Sequence, residues 1–508
     1  MRLRRTRLRA LALTASALAA AGLLVACTGD KAAAPSAAPS RPPYSPRPNI
    51  VFVLTDDLSS NLVPYMPQVR KLAAEGMSFS NYSVTDSLCC PSRASIFTGK
   101  YPHNTGVFTN DLPDGGLLAF NKYGGPKASY GLALQQGGYR TALTGKYLNR
   151  YLVGARLGNL PENYVPEGWS TWAVGAGAYA NFRYSLNEDG DVVSYGNRPE
   201  DYLTRVITKI GVSFIEKSVA ARKPFSLELS TYSPHQPYVP DPVDAKSFPG
   251  LKAPRGASFN ALPKNAPPWL ARNRKPLTAR QIAELDTVFR KRVQSVQSID
   301  RAIGQLSATL ERTGQARNTV FVFSSDNGYH LGEHGLLAGK RTAFDTDVHV
   351  PLVVAGPGIP AGVTTTAMVQ NIDLAPTFEE LAGRPPRTDV DGRSLVPLLR
   401  GEKVAWRTRA LVEHHGAAIA DPQDPDKQSR AAGAPPSYDS LRGPDWTYVR
   451  YFDGEREYYN RAEDPDEMNN LAGSLSPATL AALDRELDAM RTCAGPQRCW
   501  TAGLPKRP

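Results

Sequence analysis

Two pairs of hard oxygen donors, Asp56-Asp57 and Asp326-Asn327, stand far apart in the chain, each shortly after an apolar run. Carboxylate and amide oxygens suit calcium or magnesium, whereas zinc asks for His or Cys at ligand spacing, which these pairs lack. Lys146, after Gly145, and His235, after Pro234, follow two further apolar runs. They add a cation and a group that can carry a proton near neutral pH. Taken singly, Asp-Asp and Asp-Asn-Gly are ordinary turn sequences; together these residues place metal-binding, anion-binding and proton-transferring groups at the ends of four apolar runs. A further feature is the stretch Ser87-Leu88-Cys89-Cys90-Pro91-Ser92-Arg93-Ala94-Ser95-Ile96-Phe97-Thr98-Gly99. Its proline suits the start of a helix, so Cys89 is expected near a helix N-terminus, whose positive end lowers a thiol pKa and attracts anions. On the residues alone three readings stay open: a buried cysteine pair, a thiolate nucleophile with a distant histidine, or a modified cysteine.

The elements that must position these groups are legible as periodicity. Asn49 to Leu54, Tyr139 to Thr144, Phe225 to Tyr232 and Thr319 to Ser324 read as short strands, the first buried on both faces. A helix from Tyr130 to Gln136 is stopped by Gly137-Gly138. A longer one opens on Thr278 and Gln281 in capping-box spacing, carries Ile282, Leu285, Phe289, Val296, Ile299, Ile303, Leu306 and Leu310 on one stripe, and stops at Gly314. Helices alternating with strands predict an α/β fold with a largely parallel sheet sandwiched by helices. In such sheets ligands bind in the crevice outside the carboxyl ends of the strands, which is where the candidate groups fall.

Composition narrows the class of protein. The chain has 508 residues, 41% apolar and 21% charged, which excludes a wholly disordered chain and a many-span membrane protein. Its net charge of +11 is inflated by five arginines among the first nine residues; without them 54 Lys and Arg face 48 Asp and Glu, a balance of +6. With no basic run interleaved with aromatics, no nucleic-acid partner is expected. Residues 1–26 read as a signal peptide, arginine-rich and then apolar. Leu24-Val25-Ala26-Cys27 resembles a bacterial lipobox, which implies lipidation of Cys27 and attachment to a membrane through that anchor. Residues 27–47 are an Ala/Pro/Ser-rich tether. Cys493 and Cys499 are close enough to form a disulfide in an oxidising, extracytoplasmic compartment.

Cys-x-Pro-Ser-Arg followed by Ile96-Phe97-Thr98-Gly99 resembles the signature of the type I sulfatases, members of the alkaline phosphatase-like superfamily. Asp56-Asp57, Gly145-Lys146, Pro234-His235, Asp326-Asn327 and Gly339-Lys340 stand in the family's order. Cys-Cys-Pro-Ser-Arg-Ala-Ser-Ile, Gly99-Lys100-Tyr101-Pro102-His103-Asn104, Gly145-Lys146-Tyr147-Leu148-Asn149 and Asp326-Asn327-Gly328-Tyr329-His330 are similar to the N-acetylglucosamine-6-sulfatase branch. The resemblance implies that a formylglycine-generating enzyme oxidises Cys89 to formylglycine, whose hydrate attacks sulfur. It implies a divalent ion, Ca2+ ahead of Mg2+, held by Asp56, Asp57, Asp326, Asn327 and residue 89. Arg93 would fix the hydrate, Lys146 and Lys340 would neutralise sulfate oxygens, and His235 or Lys340 would protonate the leaving alcohol. Many sulfatases carry a histidine two residues after the lysine, where this chain has Leu148; His330 is the expected substitute, at the substrate. Glu333 and His334 are expected in the pocket wall or a structural loop, and Cys90 as a packed neighbour.

The expected organisation is a catalytic domain over 48–400 and a C-terminal subdomain over 401–508. In the latter, Trp446 to Asn460 reads as a hairpin around Asp453-Gly454, and Pro477 to Met490 as a helix. The resemblance implies a small antiparallel sheet with a helix there. The expected activity is sulfate release from a sulfated carbohydrate or aryl sulfate. Two alternatives are a phosphonate or phosphate monoester hydrolase using the same modified cysteine, and a non-catalytic glycan-binding lipoprotein.

Overall fold

A computed structural model describes residues 47–272, 275–416, 424 and 426–504. The signal segment, Cys27 and all but the last residue of the tether lie outside these residues. The large sheet contains β1 (Asn49–Thr55), β2 (Met77–Ser83), β3 (Arg140–Gly145), β4 (Thr171–Gly175), β5 (Ser185–Glu188), β6 (Asp191–Ser194), β7 (Phe225–Ser230), β8 (Thr319–Ser325), β9 (Leu352–Ala355) and β10 (Val363–Gln370). Their order is β10-β2-β9-β8-β1-β7-β3-β4-β5-β6. The centre, β8-β1-β7-β3-β4, is parallel throughout, with antiparallel pairs on either side. This is the mixed, mostly parallel sheet of the alkaline phosphatase-like fold.

Every residue of β1 is buried. Ile50, Phe52 and Leu54 pack on one face with Phe97, Tyr130 and Phe378, while Val51 and Val53 pack on the other with Ile207, Phe289 and Val296. The second face is covered by the helices Leu203–Ala220 and Ala279–Arg312. The long helix begins at the expected capping box, Thr278 and Gln281 each satisfying the other's backbone N–H.

A smaller antiparallel sheet runs β11 (Ala410–His414), β12 (Tyr438–Arg442), β13 (Trp446–Tyr451) and β14 (Arg456–Asn460) in that order. The helix Pro477–Arg491 packs Leu483, Leu487 and Met490 against Leu411, Leu441 and Tyr448 of this sheet. Cys493 and Cys499, beyond that helix, are disulfide-bonded with Cα atoms 4.9 Å apart. No helix among the described residues is long and apolar enough to cross a membrane.

A candidate active site at the strand ends

Because β1, β3, β7 and β8 are parallel, their carboxyl ends lie at one edge of the sheet. Asp56 and Asp57 follow β1, Lys146 follows β3, His235 lies beyond β7, and Asp326 and Asn327 follow β8. Two tight backbone features bring them together. Asp57 adopts a positive φ of 64°, a conformation most side chains avoid and one that marks functional sites. Gly145 has φ 101°, and a Cβ there would sit 1.9 Å from the Ser230 carbonyl oxygen, so only glycine lets β3 and β7 close beside Lys146.

The helix Cys89–Thr98 is buried over all its residues and places Cys89 at its first position. Cys89 Sγ lies 3.2 Å from Asp56 Oδ1, 3.9 Å from Asp57 Oδ1 and 2.9 Å from Lys340 Nζ. The thiolate reading expected a lowered thiol pKa, and the structure reverses it. Burial, then Asp426 and Asp56, push the thiol well up, against the weaker pull of Lys146 and Lys340.

Around the sulfur, Lys146 Nζ donates to Asp56 Oδ2 at 2.7 Å, and Lys340 Nζ donates to Asp57 Oδ1 at 2.6 Å. Burial works against both ammonium charges, but Asp56 at Lys146, and Asp426 with Asp57 at Lys340, hold them protonated. Arg93 is fully buried; its Nε meets Asp326 Oδ2 at 2.7 Å, and one terminal nitrogen donates to Ser230 Oγ at 2.6 Å and to the Lys146 carbonyl at 3.1 Å. Asp326 Oδ1 accepts from the Asp57 and Asn327 backbone N–H groups. His235 Nε2 is 3.6 Å from Asp57 Oδ2.

The donor set could hold a divalent cation. The oxygens Asp57 Oδ2 and Asn327 Oδ1 are buried without a hydrogen-bond partner, a costly state unless a ligand completes them. Candidate ligand atoms of Asp56, Asp57, Cys89 and His235 all lie within 4.8 Å of one another.

Three neighbours escaped the sequence reading. Arg292, on the long helix, is fully buried; it donates to the Asp57 carbonyl oxygen and lies 4.4 Å from the Tyr329 ring centroid. Its signal was a charged residue on the apolar stripe between Phe289 and Val296. Tyr179 lies under Lys146, with 5.2 Å from Nζ to its ring centroid, and 4.5 Å from the His235 ring; a lone tyrosine in a turn carries no sequence signal. Asp426 bridges Lys340 Nζ at 2.7 Å and His235 Nε2 at 2.6 Å, and its Asp/Pro-rich surroundings read only as a loop.

His330 needs a correction. Its Nδ1 lies 2.9 Å from both Asp347 oxygens and its Nε2 lies 2.9 Å from the Ala432 carbonyl oxygen. Both ring nitrogens are held by acceptors outside the cluster of Asp56, Asp57, Cys89 and His235, so His330 ties loops together; His235 is also held on both nitrogens, Nδ1 by the Gln236 carbonyl at 2.7 Å and Nε2 by Asp426, but within that cluster. Leu148 is buried in the apolar core. His334 stacks on Phe344 at 3.6 Å, and Glu333 accepts from the Leu331 N–H. Cys90 is buried, with its N–H donated to Asn110 Oδ1 at 3.2 Å.

The sulfatase family model matches residues 48–384, and a model described as N-sulphoglucosamine sulphohydrolase, C-terminal, matches 332–492. The chain belongs to the sulfatase family and is a sulfuric ester hydrolase. It is 36% identical over 485 residues to human N-acetylglucosamine-6-sulfatase, covering 90% of this chain and 87% of the human protein. An N-acetylglucosamine-6-O-sulfatase of Bacteroides thetaiotaomicron is 26% identical, with 84% of this chain and 83% of that one aligned. A solved complex of a protein with its substrate D-glucosamine-2-N,6-O-disulfate shares the fold at a TM-score of 0.74 and 24% identity, covering 89% of this chain and 98% of that one. A phosphonate monoester hydrolase from Silicibacter pomeroyi shares it at 0.64 and 24%, covering 86% and 93%.

Proposed function

We propose that the protein releases inorganic sulfate from a sulfated carbohydrate, with N-acetylglucosamine-6-sulfate the leading candidate. The observation that carries this reading is the convergence on Cys89 of two lysines, a histidine and two carboxylates, one of them with an unfilled oxygen. The names of the relatives point the same way. A cavity of about 290 Å³ opens beside Asp57, His235 and Lys340, with Gln281, Gln428 and Tyr329 among its walls, and gives a sugar a polar berth.

Residue 89, once oxidised to formylglycine, supplies a hydrated aldehyde as nucleophile toward sulfur. Asp56, Asp57, Asp326 and Asn327 would hold a divalent ion, Ca2+ in preference to Mg2+, which would lower the pKa of that hydroxyl and polarise the sulfate. The remaining steps belong to the chain's own residues. Lys146 and Lys340 are fixed cations that neutralise sulfate oxygens without reorganising. Arg93, locked between Asp326, Ser230 and the Lys146 carbonyl, holds the first helical turn and Asp326 in register. His235, with Nε2 3.6 Å from Asp57 Oδ2 and 2.6 Å from Asp426 Oδ1, or Lys340 would supply the proton that the leaving alcohol needs. Sulfate release from N-acetylglucosamine-6-sulfate, galactose sulfates, a nitrophenyl sulfate and a matched phosphonate ester tests the reading. Preference for the phosphonate would overturn it.

We further read the protein as exported and anchored through lipidated Cys27. Labelled palmitate should enter the wild type and not Cys27→Ala; equal labelling rejects the anchor.

A further inference from the structure

Asp426 touches no reacting atom in the hydrolysis set out above, yet it contacts both Lys340 and His235. Its Oδ1 lies 2.7 Å from Lys340 Nζ and 2.6 Å from His235 Nε2, and its Oδ2 accepts from Asn110 Nδ2 at 2.6 Å. Arg341 donates to its main-chain carbonyl at 2.8 Å. The same Lys340 ammonium touches Cys89 Sγ and Asp57 Oδ1, so Asp426 stands one contact from the reacting group. It also lines the cavity that opens beside Asp57, His235 and Lys340. Its Oδ1 sits between the Lys340 ammonium and His235 Nε2, a setting that favours the carboxylate form.

An entering anion therefore meets cations together with the carboxylates Asp57, Glu284 and Asp426, and of these Asp426 sets a fixed negative charge against both Lys340 and His235. Coulombic repulsion from that charge is twice as large for a dianion as for a monoanion at the same place. A sulfate monoester carries one negative charge, whereas inorganic sulfate carries two. A phosphate monoester approaches two above its second pKa of about 6. We propose that Asp426 is the charge-selectivity residue of the ester pocket: its carboxylate admits the monoanionic sulfate ester, disfavours phosphate monoesters and speeds departure of dianionic product sulfate. This rests on the pocket being a sulfate-ester site, as proposed above.

Methanesulfonate and sulfate are both small tetrahedral anions that differ by one charge, which makes them the probes. Their Kd values are measured by calorimetry at pH 8 on the metal-loaded, formylglycine-bearing enzyme, wild type and Asp426→Asn, with Asp426→Ser as a second neutral replacement. The ratio of sulfate Kd to methanesulfonate Kd should fall by about tenfold or more when the charge is removed, and stay within about threefold of wild type in Asp426→Glu. The inhibition constant of sulfate should fall likewise relative to the ester KM, and kcat/KM for a phosphate monoester should rise relative to the sulfate ester. A ratio unchanged within about twofold, even with both affinities shifted together, would overturn the proposal and leave Asp426 a positioning group for Lys340 and His235. A wild type that binds both anions but hydrolyses no sulfate ester would instead reject the underlying reading of the site.

Discussion

Two buried, densely charged networks occur among the described residues, one at the ends of β1, β3, β7 and β8, the other against the small sheet. In the second, Glu457 accepts from the Tyr451 and Tyr459 hydroxyls, and Glu467 accepts from Thr447 Oγ1 and the Asp345 N–H. Asp345 pairs with Arg442, Arg461 and His349. Every carboxylate oxygen of Glu457 and Glu467 has a donor. At the strand ends, by contrast, Asp57 Oδ2 and Asn327 Oδ1 are left over, and Asp57 belongs to the same cluster as Cys89. Buried charge is common to both, and both leave polar atoms over: at the strand ends these include acceptors, which a cation could complete, whereas beside the small sheet they are the donors Arg442 Nη1 and Arg461 Nε.

Each side of this contrast can be broken. The largest effect is expected at Cys89→Ala, where sulfate release should fall by about a thousandfold or more while the folded state persists, as circular dichroism and turnover together would show. Chelation should come next: EDTA should abolish turnover and lower Tm, and Ca2+ should restore both better than Mg2+. Indifference to chelation would remove the meaning given to the unfilled oxygens. Lys146→Ala should lower kcat by about a hundredfold with a small change in Tm, whereas Glu467→Gln should leave kcat within about threefold, its structural network lying away from Cys89.

The small-sheet network should show itself in pH dependence. Burial, with Asp345 adding to it, pushes Glu467 up to about 7 in the folded state, above its ordinary 4.5. The folded protein thus binds a proton that the unfolded chain releases, and the stabilisation is complete below the unfolded pKa and lost as pH rises through about 7. Between pH 5 and 8 the loss should be on the order of 2 to 3 kcal/mol in denaturant titrations, and Glu467→Gln should flatten that slope. A modest catalytic effect is expected at His330→Ala. With both ring nitrogens committed to Asp347 and Ala432, the change should lower Tm yet alter kcat by less than about tenfold. A larger loss in kcat at unchanged KM and Tm would return His330 to the chemistry.

Much of the site was legible because each signal is local. A strand buried on both faces is a continuous apolar run, so Asn49 to Leu54 and Thr319 to Ser324 announced β1 and β8 to within a residue, and their termini announced Asp56, Asp57, Asp326 and Asn327. The cysteine motif and the capping box at Thr278 are likewise contained within a few residues. β2, β9 and β10 were not read, because their sequences mix polar and apolar residues or are very short. The sequence by itself therefore determined the family, the helix bearing Cys89 and the oxygen donors at the strand ends. Only the tertiary structure decided what those groups meet. Asp426 reaches Lys340 and His235 from a loop distant in sequence, Arg292 arrives from the covering helix, and His330 is claimed by Asp347 and Ala432. Such pairings depend on the closing of long loops around a packed sheet, and a partner brought in that way leaves no period or spacing in the chain that supplies it.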